Sequence, residues 1–175
     1  MDKRNCTESA VRVPGALIGP DFDGGGRIDV PVSLLDLPPT LLRAADIDVP
    51  EHFQGTPIQD IEPRRPRDGK DRSVYTQITR EANRTIARCI RTSRWKYGIT
   101  SVDGTEQGDG TATQYRETEL FDLRHDPYEL CNRICDPPGD IKEELRADLL
   151  RHLHRAGEPQ PEILDPEPIP RAQRY

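Results

Sequence analysis

Hydrophobic and polar positions alternate with a period of two through the middle of the chain. Between Arg94 and Thr100, the residues Trp95, Tyr97 and Ile99 alternate with a lysine and a glycine. Alternation of this kind, with β-branched and aromatic residues on one side, is typical of a strand that is buried on one face. The pattern predicts an antiparallel sheet of four strands, over residues 73–79, 85–91, 94–100 and 115–123.

Apolar residues that recur at every fourth position predict a helix after the last of these strands. Asp140 and Glu143 form a capping-box pattern at the expected start of this helix. The periodic residues are Ile141, Leu145, Leu149 and Leu153.

The first part of the chain contains one strand signal and one helix signal. The apolar run over residues 11–18 ends in Gly19-Pro20 and predicts a short buried strand. Asp36 precedes Pro38 and Pro39, which is typical of a helix N-cap. A lone buried strand needs neighbours on both sides, and we expect those neighbours in chain that is missing from this sequence.

These elements predict three regions. Residues 1–60 are expected to be the end of a larger α/β domain, and residues 61–157 a small α+β subdomain. Residues 158–175 form a proline-rich tail, which we expect to be extended and packed on a neighbour or disordered.

Composition narrows the choice of partners. The net charge of −6 argues against a nucleic-acid partner, because phosphate binding needs a basic face. No apolar stretch approaches the roughly 20 residues of a membrane span. The start of the sequence, from Met1 to Asn5, lacks an apolar signal core, so a chain that truly begins there is expected to be soluble and cytoplasmic.

The four cysteines do not form a recognisable metal or disulfide pattern. Cys131 and Cys135 are close together, with His125 nearby, but structural zinc sites usually combine two such pairs. Cys6 and Cys89 are isolated in the sequence. We therefore interpret all four as ordinary buried or surface thiols, and we assign no metal ligand.

Five segments occur in an order that matches a known family. Lys3 is followed by a glutamate five residues later and an arginine four residues after that. The other segments are the D-x-x-P-T-L-L sequence at the end of residues 32–42, Gln54-Gly55, Ile-Arg-Thr-Ser-Arg-Trp-Lys-Tyr at 90–97, and residues 119–130. Together they resemble the C-terminal third of the sulfatase family, in the alkaline phosphatase-like superfamily.

The resemblance implies an incomplete alkaline phosphatase-like sulfatase fold, α/β to α+β, with residues 1–60 as the end of the catalytic domain. Complete members are expected to use Ca²⁺ and a formylglycine made from a cysteine or serine in a C-x-P/A-x-R segment. This sequence contains no such segment, and it lacks both the family's cation-binding Asp pair and its Asp-Asn or Asp-His pair. It therefore supplies no catalytic residue, no metal ligand and no cofactor, and we expect the chain alone to be inactive.

One active-site residue of the family has a counterpart here. Lys3 falls where sulfatases place a lysine that contacts the sulfate group, so a sulfate ester is an expected ligand only if the missing part is present. A fixed ammonium group offsets negative charge on the group being transferred.

Other polar and aromatic positions are interpreted as structural. We expect Asp36 to cap a helix, Trp95 and Tyr97 to lie in the core, and Asp21, Asp23 and Asp29 to belong to a solvated turn.

Two alternative functions stay open at this stage. The chain could be a non-catalytic interaction module, with a larger sulfatase chain as a possible partner. It could also be a fragment of a related phosphodiester or phosphonate ester hydrolase.

Overall fold

The structure is a computed structural model that describes residues 6–63, 72–80 and 85–168. The chain divides into two compact units. One consists of the described residues up to Arg12 together with those from Tyr75 onward, and the other is Val13–Val74.

The first unit is built on a five-stranded sheet with the order β1-β2-β3-β4-β5. β2 and β3 pair antiparallel, as do β3 and β4, while β5 pairs parallel to β4. The strands span Val74–Arg80, Thr85–Arg91, Trp95–Ser101, Gln114–Asp122 and Glu162–Leu164. The four predicted strands are confirmed.

The fifth strand differs from the predicted sheet of four. It lies within the proline-rich tail, where three consecutive residues without proline keep the amides that a ladder needs. Its central residue, Ile163, packs against the main core.

One face of the sheet is covered by α3, which spans Ile141–Arg155. Leu145, Leu149 and Leu153 are buried there against strand residues that include Tyr97. The predicted core positions of Trp95 and Tyr97 are therefore confirmed. The capping box expected at Asp140 does not form, because the Asp140 backbone (φ −91°, ψ 12°) lacks the extended conformation of a capping residue.

The strand predicted over residues 11–18 is wrong. A short helix, α1, covers Glu8–Val11, and residues 12–18 form neither helix nor strand. Ile18 is 94% exposed. Pro14 has no amide to donate to a ladder, and apolar content without a partner strand does not make a strand.

The second unit contains α2, over Leu37–Ala44, preceded by the 3-10 turn Leu34–Asp36 and followed by the 3-10 turn Ile58–Asp60. Its small core consists of Val30, Ile58 and Ile61.

Asp36 does not cap α2 with its side chain, contrary to the prediction. Its carboxylate instead accepts hydrogen bonds from the amides of Ser33 (2.7 Å) and Thr56 (2.8 Å) and from the Arg72 guanidinium (2.6 Å). The loop before Thr56 approaches so closely that a Cβ at Gly55 would lie 1.9 Å from the Leu35 carbonyl oxygen. This contact explains the glycine in the Gln54-Gly55 segment.

Candidate functional site

The described residues from Cys6 to Glu8 lie against the face of the sheet opposite α3. Lys3 itself lies outside the described residues. Cys6 is buried in a small cluster with Ala87 and Cys89 of β2. Two residues further on, Glu8 begins α1 and enters a group of charged side chains from β2, β3 and the loop after β4.

Four residues form this group, which we call the anchor network: Glu8, Arg91, Lys96 and Glu129. The backbone amide of Glu8 donates to Oε2 of Glu129 at 2.7 Å. The Arg91 guanidinium donates to both oxygens of Glu8, with Nε to Oε1 at 3.3 Å and Nη2 to Oε2 at 3.3 Å. Lys96 donates from Nζ to Oε1 of Glu129.

The strand register explains why two cations meet here. Arg91 and Lys96 are cross-strand partners in the β2–β3 pair, so their side chains lie on the same face of the sheet. The two carboxylates arrive from α1 and from the loop after β4. The network therefore joins three separate segments through charge-assisted hydrogen bonds, which are stronger than neutral ones.

The anchor network is buried to different depths. The side chains of Lys96 and Glu129 are 0% and 5% exposed, whereas Arg91 is 23% exposed. A buried ammonium is stable only with a partner, so Lys96 depends on Glu129. Glu129 has a φ of 57°, which is uncommon for a residue with a side chain. The fold holds this strained backbone at the residue whose carboxylate the network needs.

Glu119 lies on the same face of the sheet as the anchor network, and one of its carboxylate oxygens lacks a hydrogen-bond donor among the described residues. Its Oε2 atom is buried and has no hydrogen-bond partner among the described residues. Burial raises the pKa of Glu119, and the positive charge of Lys96 only partly opposes this. A shallow cleft of about 50 Å³ adjoins it, lined by residues that include Cys6, Gly98 and Thr118.

A second charged cluster lies at the end of β4. Arg94 donates to both oxygens of Asp122, and His125 Nδ1 lies 3.0 Å from Oδ2 of the same residue. The hydrogen bonds from Arg94 hold the pKa of Asp122 well below its usual range. His125 is mostly exposed, so this cluster borders solvent.

A third cluster joins α3 to the sheet. The buried Glu117 carboxylate accepts from Tyr97 (2.9 Å), Lys142 (2.9 Å) and Arg146 (2.9 Å). Burial raises the pKa of the Tyr97 hydroxyl well above its usual value, so Tyr97 stays a donor. These contacts lie beneath a helix and serve packing.

The described residues do not provide the cation site or nucleophile of a sulfatase. No group of three or more His, Cys, Asp or Glu side chains within residues 6–63, 72–80 and 85–168 could hold a metal ion. Asp21 accepts from Gln59, and Asp29 pairs with Arg27, so these turn carboxylates do not converge. The described residues do not fit a bound Ca²⁺.

Sequence reasoning did not single out Arg91, Lys96 or Glu129 as a site. They lie within residues 90–97 and 119–130, which supported the family resemblance but were not given individual roles. One sequence feature could have indicated the site. Lys96 lies in a strand whose neighbouring residues are apolar, and a buried lysine is rare unless it has a charged partner.

Comparison with known proteins identifies the chain. The family model described as N-sulphoglucosamine sulphohydrolase, C-terminal, matches residues 1–156. This chain belongs to that sulfatase family. The match includes the whole of the second unit and the first unit from α1 to α3, and it ends before β5. None of the helices in the described part of the chain is long and apolar enough to cross a membrane.

Individual sulfatases are similar to the same portion. The chain is 29% identical to choline-sulfatase of Rhizobium meliloti over 81% of its own length and 25% of the relative's. It is 31% identical to arylsulfatase K of Gallus gallus, covering 80% of this chain and 25% of the relative. A crystal structure of a putative sulfatase from Bacteroides thetaiotaomicron matches with a TM-score of 0.52 and 26% identity, over 70% of this chain and 25% of that one.

The chain thus spans about a quarter of the length of the sulfatases it matches. It corresponds to the C-terminal portion of a sulfatase. The anchor network takes residues from the first, the fourth and the last of the five segments that carried the resemblance.

Proposed function

We propose that this chain is the C-terminal part of a sulfuric ester hydrolase, and that it positions Lys3 to bind the sulfate group. The observation that carries the proposal is the anchor network, which holds Glu8 on the sheet through Glu129 and Arg91. Cys6 is buried on the same face. Both residues lie just after Lys3 in the sequence.

Covalent geometry limits how far Lys3 can lie from this anchor. Cys6 lies three positions after Lys3, and three residues of extended chain span at most about 11 Å. Holding Cys6 and Glu8 therefore restricts the volume that the Lys3 ammonium can sample. A charge placed in advance stabilises the developing negative charge of a transition state better than a freely moving one.

The reactive groups themselves belong to the remainder of a sulfatase. In a complete member, formylglycine would supply the nucleophile and Ca²⁺ would supply positive charge for binding the sulfate group. We propose that a preceding stretch of polypeptide contributes both to the whole protein. The residues of the present chain then bind and orient the ester rather than attack it.

The second unit favours an associated role, as a surface that the rest of the sulfatase covers. This unit buries only three apolar residues in its core but exposes a larger number of apolar side chains. They include Val13, Ile18, Leu34, Leu35, Leu41 and Ile47. Exposed apolar residues in such numbers mark an interaction surface. We propose that the partner is sulfatase chain, either in the same polypeptide or as a larger separate one.

The test uses the chain joined to whatever coding sequence precedes it, expressed in a host that makes formylglycine. We expect hydrolysis of an aryl sulfate by the extended protein and none by the 175-residue chain, with or without calcium. Lys3→Ala in the extended protein should lower kcat roughly 10²–10³-fold, as expected for loss of one charge-stabilising group.

Lys3→Arg and Arg151→Ala serve as controls. Lys3→Arg keeps the positive charge and should retain more activity than Lys3→Ala. Arg151 is an exposed residue of α3 that pairs only with Asp148 among the described residues, and its loss should not change kcat. Unchanged kcat and KM in Lys3→Ala would rule out the proposed role of Lys3, and hydrolysis by the chain alone would rule out the division of labour.

A further inference from the structure

Cys6 and Cys89 are buried side by side although they are far apart in the sequence. They are 2% and 1% exposed and share an apolar cluster with Ala87. The neighbouring Cys6 side chain and burial both raise the pKa of the Cys89 thiol. Cys6 lies on the segment before α1, and Cys89 lies in the middle of β2.

The other two cysteines provide an internal contrast. Cys131 and Cys135 are exposed, and the Cys135 thiol donates to the carbonyl oxygen of Glu167 at 3.3 Å. They are close in sequence but have no shared cluster among the described residues. Only the Cys6 and Cys89 pair therefore combines thiol contact with enclosure.

We propose that Cys6 and Cys89 form a redox-sensitive pair that closes into a disulfide and fastens the amino-terminal segment to β2. A disulfide requires the two sulfur atoms to approach to about 2 Å. Cys89 is fixed in a central strand, so the movement falls to Cys6, whose segment carries only the four-residue helix α1.

The reaction balances with a low-molecular-weight disulfide such as oxidised glutathione as the oxidant. The Cys6 thiolate attacks one glutathione sulfur, forms a mixed disulfide and releases one glutathione thiolate. The Cys89 thiolate then attacks the Cys6 sulfur and releases the second. The two cysteines lose two electrons and two protons, and the oxidant becomes two glutathione thiols.

Burial makes this exchange slow rather than unfavourable. The neighbouring Cys6 side chain and the loss of solvation both raise the pKa of the Cys89 thiol, so little of it is thiolate at neutral pH. The oxidant also reaches Cys6 only when the segment opens locally. We therefore expect the rate of closure to rise with pH.

If Lys3 binds the sulfate group as proposed, the disulfide would also affect catalysis. Cys6 lies three residues after Lys3, so the covalent bond would fix the base of the segment that carries the sulfate-binding lysine. Reduction would leave the noncovalent contacts of the segment, including those of Glu8, to hold it.

The experiment uses the full chain with the Cys131→Ser and Cys135→Ser substitutions, so that exposed thiols do not interfere. The protein is equilibrated in glutathione buffers of increasing oxidised fraction, alkylated, digested and analysed by mass spectrometry. We expect a peptide that links Cys6 to Cys89, and a rise in the thermal midpoint of about 5–15 °C, because the bond closes a long loop.

Cys6→Ser in the same background is the matched control, and its midpoint should not respond to glutathione. The linked peptide is measured in the protein that keeps both Cys6 and Cys89, so that result does not depend on whether the Cys6→Ser variant folds. The proposal fails if both thiols remain alkylatable in fully oxidised glutathione, or if the linked form melts at a lower temperature than the reduced one. Neither measurement involves hydrolysis, so failure here leaves the sulfatase proposal unaffected.

Discussion

The backbone amide of Glu8 donates a 2.7 Å hydrogen bond to the carboxylate of Glu129, which lies 121 positions further along the chain. The other oxygen of Glu129 receives the ammonium group of Lys96. Glu129 therefore satisfies a helix amide and a buried cation at once. Loss of this one carboxylate would release both the start of the chain and the centre of the sheet.

Removing Lys96 tests this dependence. Lys96→Met should lower the free energy of unfolding by about 3–5 kcal/mol, because it leaves Glu129 buried without its cation. The double variant Lys96→Met with Glu129→Gln should recover part of that loss, since no buried charge remains unpaired. Urea denaturation of the three proteins measures both effects.

Arg151→Met provides the comparison for Lys96→Met. Arg151 pairs with Asp148 at 2.7 Å on the exposed surface of α3, and such pairs contribute about 0.2–1 kcal/mol. Equal losses in Lys96→Met and Arg151→Met would show that the buried pair has no special weight.

Glu119 should make the protein less stable as the pH rises. Its folded pKa lies above the value of about 4.3 for an unfolded glutamate, so the unfolded state loses its proton first. The favourable contribution is present below pH 4 and is lost as the pH increases through the folded pKa. Glu119→Gln should therefore be more stable than the parent chain at pH 7 and similar to it at pH 4.

Unfolding free energies measured between pH 4 and pH 8 check this expectation. Glu51→Gln, at an exposed position, should change stability by less than about 0.5 kcal/mol at any pH in that range. A Glu119→Gln variant whose difference from the parent does not vary with pH would contradict the raised pKa.

Asp122 should have the opposite effect on the pH dependence of stability. Its folded pKa is held below the unfolded value of about 3.9 by Arg94, so its stabilising effect is complete above pH 4 and is lost as the pH falls through the folded pKa. Asp122→Asn should cost about 1–3 kcal/mol at pH 7, because a charged hydrogen-bond acceptor is removed. The cost should shrink below pH 4.

Acid titration of unfolding, followed by circular dichroism, separates Asp122 from other carboxylates. Asp136→Asn is the matched change at a carboxylate that is 89% exposed, and its acid transition should coincide with that of the parent chain. A constant Asp122→Asn deficit down to pH 2 would disprove the proposed linkage.

The exposed apolar side chains of the second unit should matter for association and not for local folding. Leu41→Glu alters a residue of α2 that is mostly exposed, so the unfolding free energy of the isolated chain should change by less than about 0.5 kcal/mol. Binding to a separately produced N-terminal sulfatase part should weaken at least tenfold, because a charge would enter an apolar contact. Isothermal titration calorimetry measures the affinity.

Arg43→Glu, on the same helix as Leu41, is the matched comparison. Arg43 pairs with Asp60 at the surface, and its reversal should affect binding less than Leu41→Glu. Tight binding by Leu41→Glu would show that the apolar surface is not the contact.

The strands were predictable because their information is local. The alternation around Tyr97 and Ile99 predicts which face of the strand is buried, and the observed strand bounds agree with the predicted ones to within about one residue. The anchor network was not predictable in this way, because Glu8 and Glu129 come together only after β2, β3 and the following loop are in place. Pairing across such distances leaves no periodic trace in a single sequence.

Two errors have physical causes of the same kind. The run at residues 11–18 has the apolar content of a strand, but a strand also needs a partner, and none pairs with it in the described chain. Conversely, Glu162–Leu164 is too short to give a pattern and becomes a strand only because the edge of β4 is available beside it. Tertiary pairing decided both outcomes.

The parallel strand β5 also determines what can happen at that border of the sheet. Its three residues occupy the outer hydrogen-bonding groups of Gln114, Tyr115 and Arg116. A foreign strand could not pair with β4 at these positions without first displacing β5, and β5 itself offers an edge of only three residues. The terminal strand therefore acts as a built-in guard against edge-to-edge aggregation.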